Sequence, residues 1–197
     1  MTENRPPMAQ STSEEALRAV TIGDLQVLAG PVLLAEYDPT WPALFAREAA
    51  RIRSVLGDHV RLLEHVGSTS IPGLAAKPII DVVLAVVDSS DEAAYVPPME
   101  AAGYVLRIRE PKWFEHRLFK GPDTQVNVHV FTEGSSEIGR MLAFRDRLRH
   151  HDHERRFYEQ AKRALAARDW KYVQHYADAK TEVVEAIVAR ALGDPSR

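Results

Sequence analysis

The segment from His65 to Asp81 holds the residue types and spacing that could carry out chemistry. Gly67 and Ser68 follow an expected strand, where a small residue lets backbone amides approach a phosphate group and the Ser68 hydroxyl can add a hydrogen bond. Asp81 lies further on, inside an apolar run, and a carboxylate buried there needs a metal ion, a cation or several donors as its partner. A structural alternative is that Asp81 only caps the turn at Gly67 and Ser68.

Three further residues could assist this segment. Lys77 could neutralise a phosphate group or pair with Asp81, although it could equally be an ordinary surface lysine. His65 borders the loop and could either orient it or meet Asp81. His129 lies on a later apolar strand and shares a face with Asn127, because side chains alternate along a strand. Its imidazole could act as an acid or base, bind a transition metal or contact a phosphate group.

Two cations lie on apolar faces of the expected C-terminal helices. Arg145 and Lys180 both fall on such faces, and a charged side chain there either extends outward or reaches a buried anion. Arginine matches the geometry of phosphate and carboxylate groups well. We expect both side chains to project into one cleft that faces Gly67 and Ser68. The alternative is that they form ion pairs that tie the helices to the sheet.

The composition excludes several classes of site. The 197-residue chain contains no cysteine, so it has no thiolate zinc site, disulfide or cysteine nucleophile, and this fits a cytoplasmic protein. Its formal net charge of −3 gives no general field for a polyanion and disfavours a dedicated nucleic-acid binder. No apolar run approaches the roughly 20 residues that span a bilayer, so no membrane partner is expected. The sequence has neither a complete P-loop nor a serine-hydrolase elbow at Ser68.

The pattern of apolar residues predicts an α+β chain, with a mixed β-sheet flanked by helices and a helical C-terminal third. Residues 1–30 are expected to form a flexible leader with one short helix, and residues 31–197 one domain, with the sheet core at about 31–135 and helices at about 136–193. The apolar run at 79–87 is typical of a strand buried on both faces. The expected strands cover residues 27–35 (interrupted at Gly30 and Pro31), 60–66, 79–87, 104–108, 113–119 and 125–131. The expected helices cover residues 14–20, 41–56 (with Thr40 as N-cap), 92–102, 138–150, 154–168 and 170–192.

The run HVGSTSIPGLAAKPIIDVVLAV at residues 65–86 closely resembles the GrpB family. The resemblance covers about residues 32–192 and includes an opening Tyr-Asp-Pro-x-Trp-Pro at 37–42, the strand VNVHVF at 126–131 and the helix FRDRLR at 144–149. Late tyrosine and lysine positions also match, namely Tyr158, Lys162, Tyr176 and Lys180. Proteins of this family look like members of the nucleotidyltransferase superfamily, and in some bacteria a similar domain is fused to dephospho-CoA kinase.

The resemblance implies a nucleotidyltransferase-like fold and a set of site residues. In a working enzyme of this type a Gly-Ser pair contacts the nucleotide phosphates, and three carboxylates hold the divalent metal ions that promote transfer. This sequence keeps Gly67, Ser68 and Asp81, and Asp81 would be the ligand of Mg²⁺. It departs at Val83, where a second carboxylate would lie, and has His129 in place of an acid on the later strand.

The candidate residues fall into two groups. Asp81 and His129 are the candidate catalytic residues, and Asp81 is also the candidate metal ligand. The candidate phosphate-binding or substrate-binding residues are His65, Gly67, Ser68, Thr69, Ser70, Lys77, Arg145, Arg149, Tyr176 and Lys180.

Three functions remain open from the sequence. The first is a nucleotidyltransferase-like protein that binds a nucleotide or another phosphorylated small molecule and could transfer a nucleotidyl group with Mg²⁺. The second is a non-catalytic ligand-binding or accessory module that kept the pocket and lost the metal cage, which Val83 favours. The third is a diverged enzyme that acts on a small acidic metabolite in the same cleft.

Overall fold

The computed structural model describes residues 11–28 and 30–193, which form a five-stranded mixed sheet flanked by helices. The strands are β1 (Leu62–Val66), β2 (Ile80–Val86), β3 (Val105–Glu110), β4 (His116–Lys120) and β5 (Val126–Thr132). The helices are α1 (Glu14–Val20), α2 (Trp41–Leu56), α3 (Val96–Ala101), α4 (Ser136–His150), α5 (Asp152–Ala166), α6 (Val173–Asp178) and α7 (Thr181–Gly193), with 3₁₀ turns at Gly57–His59, Ser68–Ser70 and Glu92–Ala94. The predicted α+β class is confirmed.

The strand order is β1-β2-β5-β4-β3, in which β2 and β5 run parallel and the other pairs run antiparallel. The register of β2 and β5 sets Asp81 opposite Asn127 and Val83 opposite His129. The register of β4 and β5 sets Lys120 opposite Asn127. Since side chains alternate between the faces of a strand, these five side chains lie on the same face of the sheet.

The two faces of the sheet carry different helices. Helices α2 and α3 cover one face and contribute to the largest apolar cluster, whose members include Ile52, Leu56, Val82, Leu84, Met99 and Val128. On the other face, Val83 and Phe131 pack against Ile138 of α4. Strand β2 is therefore buried on both faces, which explains its continuous apolar run. Asp81 is the partly exposed member of that strand.

The start of α2 differs in one detail from the prediction. Pro42 lies in the first turn of the helix, where a missing N–H costs little. Thr40 makes no side-chain cap, however. Its hydroxyl and its backbone N–H both donate to Oδ1 of Asp38, at 2.7 and 2.8 Å. A turn built on Asp38 therefore shapes the start of this helix.

The helical C-terminal part follows the prediction with one correction. The single helix expected at residues 170–192 is two helices, α6 and α7, which are separated at Ala179 and Lys180. In the break, the N–H of Lys180 donates to the carbonyl of Ala177, a tighter turn than the α-helical one. The apolar stripe from which Lys180 was expected to lie on an inward helix face is therefore interrupted at this residue.

The described part of the expected leader packs against the domain. Helix α1 forms as predicted and buries Leu17, and the N–H of Ile22 donates to the carbonyl of Arg107 on β3 at 2.8 Å. Residues 1–10 of that leader, together with Ala29 and residues 194–197, lie outside the described residues.

The strand expected at residues 27–35 is wrong. Val27 and Ala35 form isolated bridges with Tyr172 and Ala76. Pro31 lies between them, and a proline cannot donate to a β-ladder, so the segment cannot continue as a regular strand. None of the helices in the described residues is long and apolar enough to cross a membrane.

Candidate functional site

The loop after β1 is held by its own hydroxyl groups. Ser70 Oγ donates to the carbonyl of Gly67 at 2.6 Å, and Thr69 Oγ1 donates to the carbonyl of Ile79 at 3.1 Å. Thr69 and Ser70 are buried, whereas Gly67 and Ser68 are partly exposed. Of the four residues expected to cradle a phosphate group, Thr69 and Ser70 thus use their side chains to hold the loop. Gly67 and Ser68 remain accessible.

Asp81 lies beside this loop with 28% of its side chain exposed. Asn127 Nδ2 donates to its Oδ1 at 2.7 Å, and His129 Nε2 lies 3.7 Å from the same oxygen. Burial alone would raise the pKa of Asp81. The nearby His129 ring, the hydrogen bond from Asn127 and the charge of Lys180 together outweigh burial, so the pKa of Asp81 lies below its ordinary value. The carboxyl group is therefore ionised at neutral pH.

Four lysines act electrostatically on Asp81, namely Lys77, Lys120, Lys162 and Lys180. Burial lowers the pKa of all four, to about 7 in Lys162 and to about 8 in Lys180. Much of the Lys120 side chain stays exposed. Among the described residues, none of the four ammonium groups lies within ion-pair distance of a carboxylate. The site thus holds an excess of positive charge around one carboxylate.

Sequence analysis had selected only two of these lysines, Lys77 and Lys180. Lys162 is 2% exposed, and its Nζ donates to the carbonyl of Ala75 at 2.6 Å. Lys162 lies four residues after Tyr158, just as Lys180 lies four residues after Tyr176. In each pair the lysine Nζ lies over the tyrosine ring, at 5.3 Å from the ring centre in Tyr158 and at 4.5 Å in Tyr176. This repeated spacing is the signal that could have identified Lys162.

Lys120 carried no comparable signal in the sequence. It lies at the end of β4 and donates to Oδ1 of Asn127, the residue whose amide nitrogen binds Asp81. That contact depends on the register between β4 and β5, which local sequence does not specify.

Two buried tyrosines lie next to the lysines. Burial raises the pKa of Tyr158. The side chain of Ser68, which lies beside the Tyr158 hydroxyl, partly opposes this rise. Burial raises the pKa of Tyr176 to about 12, and its hydroxyl has no hydrogen-bond partner among the described residues. A buried hydroxyl without a partner is costly, so Tyr176 is suited to receive a hydrogen bond or donate one to a bound molecule.

Arg145 does not face the loop in the expected way. Its Nη1 donates to Oε2 of Glu64 at 2.9 Å and to the carbonyl of His65 at 3.1 Å, and its Nε donates to Asp146 at 2.7 Å. These contacts tie α4 to β1, which was the alternative interpretation. The expectation that Arg145 and Lys180 share one cleft is therefore corrected.

Arg149 supports the loop from the same helix. Its Nε and Nη2 both donate to the carbonyl of Ser70, at 3.0 and 2.8 Å, and its side chain is 34% exposed. Burial and the charge of Arg145 lower the pKa of Arg149. The guanidinium group thus holds the loop backbone and keeps part of its surface open to solvent.

His65 orients the loop from β1. Its ring stacks on Phe45 with centres 4.8 Å apart, and its Nε2 lies 3.1 Å from Oγ1 of Thr69. Burial lowers the pKa of His65 to about 4, so the ring is neutral at physiological pH. The sequence left two roles open for His65, which could orient the loop or meet Asp81. Its contacts are those of a residue that orients the loop.

A chain of four titratable groups crosses the sheet to Asp81. Glu110 Oε2 lies 2.6 Å from Nδ1 of His116, and Nε2 of His116 lies 3.1 Å from Nδ1 of His129. The Nε2 of His129 then faces Asp81. Burial lowers the pKa of His116, so a neutral His116 that donates to Glu110 can accept a hydrogen bond from His129. Sequence analysis missed Glu110 and His116, since only the pairing of β3, β4 and β5 brings them to this chain.

The donors around Asp81 do not fit a magnesium cage. Mg²⁺ prefers near-octahedral oxygen ligands. The nearest amide, Asn127, turns its nitrogen to Asp81 and gives its oxygen to Lys120. Within the described residues, no group of three or more histidine and carboxylate side chains could hold a metal ion. We therefore derive no step through a metal ion.

Comparisons with known proteins place the chain in one family. A family model described as GrpB protein matches residues 31–190. A UPF0157 protein from Halalkalibacterium halodurans is 57% identical over 191 residues, which cover 94% of this chain and 98% of that protein. Part of a dephospho-CoA kinase from Mycolicibacterium paratuberculosis is 38% identical over 82 residues, which cover 40% of this chain and 20% of that enzyme.

Two solved structures were compared with the fold. The crystal structure of conserved protein GrpB from Enterococcus faecalis is 32% identical, with a TM-score of 0.72, and the match covers 81% of this chain and 97% of that chain. The Cid1 poly(U) polymerase with MgGTP bound is 12% identical, with a TM-score of 0.39, over 76% of this chain and 47% of that chain. A likeness at this second level carries no argument about function.

Proposed function

The chain belongs to the GrpB family, and we propose that its cleft binds the phosphate groups of a phosphorylated small molecule. The observation that carries this proposal is the excess of ammonium groups around Asp81. Burial lowers the pKa of each lysine, and a bound anion would supply the counter-charge that these groups lack. A phosphate group suits the site because it combines negative charge with several acceptor oxygens.

The neighbouring polar groups support phosphate as the anion. Lys77 and Lys180 are partly exposed and Lys120 is exposed, so these three would contact it. Lys162 is buried and adds positive potential only while it is protonated, since its pKa is lowered to about 7. The ring of Tyr176 lies under the ammonium group of Lys180, with the ring centre 4.5 Å from Nζ, and so holds that group in place.

The role of Asp81 in this proposal is to position cations. Its ionised carboxylate interacts electrostatically with the four lysines, and the hydrogen bond from Asn127 holds its orientation. A lone carboxylate in such a site keeps the ammonium groups gathered in the absence of ligand. Binding is therefore expected to proceed in the absence of divalent metal.

The test is a calorimetric titration with inorganic tripolyphosphate, in Mg²⁺ or in EDTA. We expect binding in both buffers, and an affinity about tenfold or more weaker in Lys180→Gln, because a hydrogen bond to a charged group is lost. Arg53→Gln removes the same charge from an exposed position on α2, across the sheet, and should leave the affinity unchanged. Equal affinity in wild type and Lys180→Gln would refute the proposal.

A second candidate function, group transfer from the bound ligand, is favoured by the hydrogen-bonded chain Glu110–His116–His129, whose last ring turns its Nε2 toward Asp81 at 3.7 Å. His129 would take the proton of an acceptor hydroxyl while that oxygen attacks phosphorus and the remaining phosphate leaves. With ATP as the donor and glycerol as the acceptor, the reaction would release pyrophosphate if the α-phosphorus is attacked, or ADP if the γ-phosphorus is attacked, together with the corresponding glycerol ester. Activity should be lost in His129→Ala, and His116→Gln should shift its pH profile. Activity that persists in His129→Ala would exclude this role.

A further inference from the structure

An open cleft of about 580 Å³ adjoins the lysine cluster and has no part in the contacts described so far. Its lining residues come from the turn between β3 and β4 and from α4, α6 and α7, and include Trp113, Phe114, Arg140, Ala177, Lys180 and Val184. The volume falls within the usual range of small-molecule sites, which is about 300–1,000 Å³. This cleft could therefore hold one group of the size of a nucleobase and its sugar.

One wall of the cleft consists of two exposed aromatic side chains. Trp113 is 44% exposed and Phe114 is 45% exposed, although large aromatic side chains usually bury most of their surface. Trp113 is fixed in place by edge-to-face contacts with His116 and Phe131, with ring centres 5.2 and 5.8 Å apart. The wall thus presents a rigid aromatic surface to the cleft.

The backbone of this turn is strained. Phe114 and Glu115 both have positive φ angles, 54° and 50°, a region that side chains other than glycine rarely adopt. Two such residues follow one another here, and strain of this kind clusters at ligand sites. The strained turn holds Phe114 beside Trp113, with ring centres 5.6 Å apart.

The charges in the cleft leave one cation without a counter-ion. Arg140 pairs with Glu137 at 2.9 Å and also with Glu185, so the two carboxylates of the cleft are already partnered. Lys180 is the remaining cation, and it also acts on Asp81 in the lysine cluster. Trp113 touches His116, which continues through His129 to the same Asp81. The cleft and the lysine cluster are therefore contiguous.

From this arrangement we infer that the cleft binds the planar aromatic ring of the ligand whose phosphate groups bind the lysines. The ring stacks on Trp113, and the nearly perpendicular Phe114 meets its edge. Val184 and Ala177 cover its other edges, and Lys180 lies between the ring subsite and the phosphate subsite. The ligand class is then a nucleotide or a similar ring-bearing phosphate ester. This inference rests on the proposed phosphate site and adds a second, separable part to it.

The test compares ligands with and without the ring; AMP and ribose 5-phosphate differ only in the ring, whereas ATP and tripolyphosphate differ by the whole nucleoside. ATP is titrated against inorganic tripolyphosphate, and AMP against ribose 5-phosphate, in wild type, Trp113→Ala and Trp113→Phe. We expect the ring-bearing ligand of each pair to bind wild type at least about fivefold more tightly, because stacking of a base on an aromatic side chain has about this effect. Trp113→Ala should remove the difference, and Trp113→Phe should keep most of it.

Two controls keep the result interpretable. Trp113→Ala must bind tripolyphosphate as wild type does, which shows that the variant is folded and the phosphate subsite intact. Phe157→Ala removes an equally exposed aromatic side chain from α5, outside the cleft, and should change nothing. Phe114→Gly relieves the positive φ, so it should weaken ATP binding while it preserves or raises the melting temperature.

The outcomes separate the two proposals. If tripolyphosphate binds as tightly as ATP, or if Trp113→Ala leaves the preference for ATP intact, the ring subsite is refuted and the phosphate site stands. If neither tripolyphosphate nor any nucleotide binds wild type, both proposals fail.

Discussion

Gly67 and Asp81 are packed so closely that a Cβ atom at position 67 would lie 2.8 Å from the Cβ of Asp81 and closer still to its Oδ2. Residue 67 also has a φ angle of +67° and a ψ angle of −174°, a combination that is essentially restricted to glycine. Gly67 was expected to let the backbone approach a phosphate group. It is required in the first place because the side chain of Asp81 leaves no room for a Cβ atom at this position.

Gly67→Ala is predicted to displace both the loop and Asp81. The backbone conformation alone should cost on the order of 1–3 kcal/mol of unfolding free energy, and the clash with Asp81 adds to it. Tripolyphosphate affinity should fall as well, because the displaced loop and the displaced Asp81 side chain disturb the space that the phosphate groups would occupy. Chemical denaturation and calorimetry measure the two effects. Gly134→Ala shares a positive φ of +82° but meets no atom within 4 Å, so it should cost stability and spare binding.

Asp81→Asn is predicted to strengthen the binding of tripolyphosphate severalfold. The substitution removes the negative charge that the four lysines share, and it keeps an oxygen that can accept the hydrogen bond from Asn127. The anion then meets less repulsion. Calorimetry in EDTA gives the affinity. The control is Asp58→Asn, at an exposed position in the 3₁₀ turn Gly57–His59, which should have little effect on the affinity. Loss of binding in Asp81→Asn, together with a requirement for Mg²⁺, would instead indicate a metal-dependent site.

Lys162 is predicted to make the stability of the protein depend on pH. Burial lowers its pKa to about 7, whereas an unfolded lysine has a pKa of about 10.4. Between these values the unfolded chain binds more protons at this residue, so its contribution to the free energy of unfolding rises with pH, by up to about 1.4 kcal/mol per pH unit. Below pH 7 the side chain is charged in both states, and burial of that charge is most costly.

Lys162→Met should remove this dependence. The variant loses the hydrogen bond to the carbonyl of Ala75, a cost that does not vary with pH. Its stability relative to wild type should therefore be highest below pH 7 and should decline as the pH rises from 7 to 10. Urea denaturation at pH 6, 7.5 and 9 measures the trend. The exposed Lys112→Met is the control, and parallel curves for wild type and Lys162→Met would contradict the lowered pKa.

The sequence predicted those parts of the fold that local patterns determine. The apolar run of β2 and the helical spacing of α2 both gave elements close to their observed bounds. The pattern failed in two segments in which apolar spacing continues although the regular element does not. Residues 170–192 have a helical pattern throughout, yet the chain breaks at Lys180, and residues 27–35 have apolar residues but form only isolated bridges.

The site was predictable to the extent that its residues lie close in sequence. Gly67, Ser68 and Asp81 belong to one segment and could be selected together. Lys120 and His116 enter the site only through the register of β4 against β5, which is fixed by pairing across the sheet. For a cation on an apolar helix face, such as Arg145 or Lys180, the sequence does not show whether the side chain binds a ligand or forms an ion pair within the protein. Either partner would satisfy the buried charge.

Arg145 is predicted to act in stability and not in ligand binding. It is 9% exposed, and its guanidinium group connects α4 to Glu64 and the carbonyl of His65 on β1. Arg145→Gln should lower the free energy of unfolding by about 1–3 kcal/mol, the range for a lost hydrogen bond to a charged group. The affinity for tripolyphosphate should stay within about twofold of wild type, in contrast to Lys180→Gln. Denaturation and calorimetry on the same preparation decide the matter: a stable variant with at least tenfold weaker binding would place Arg145 in the ligand site after all.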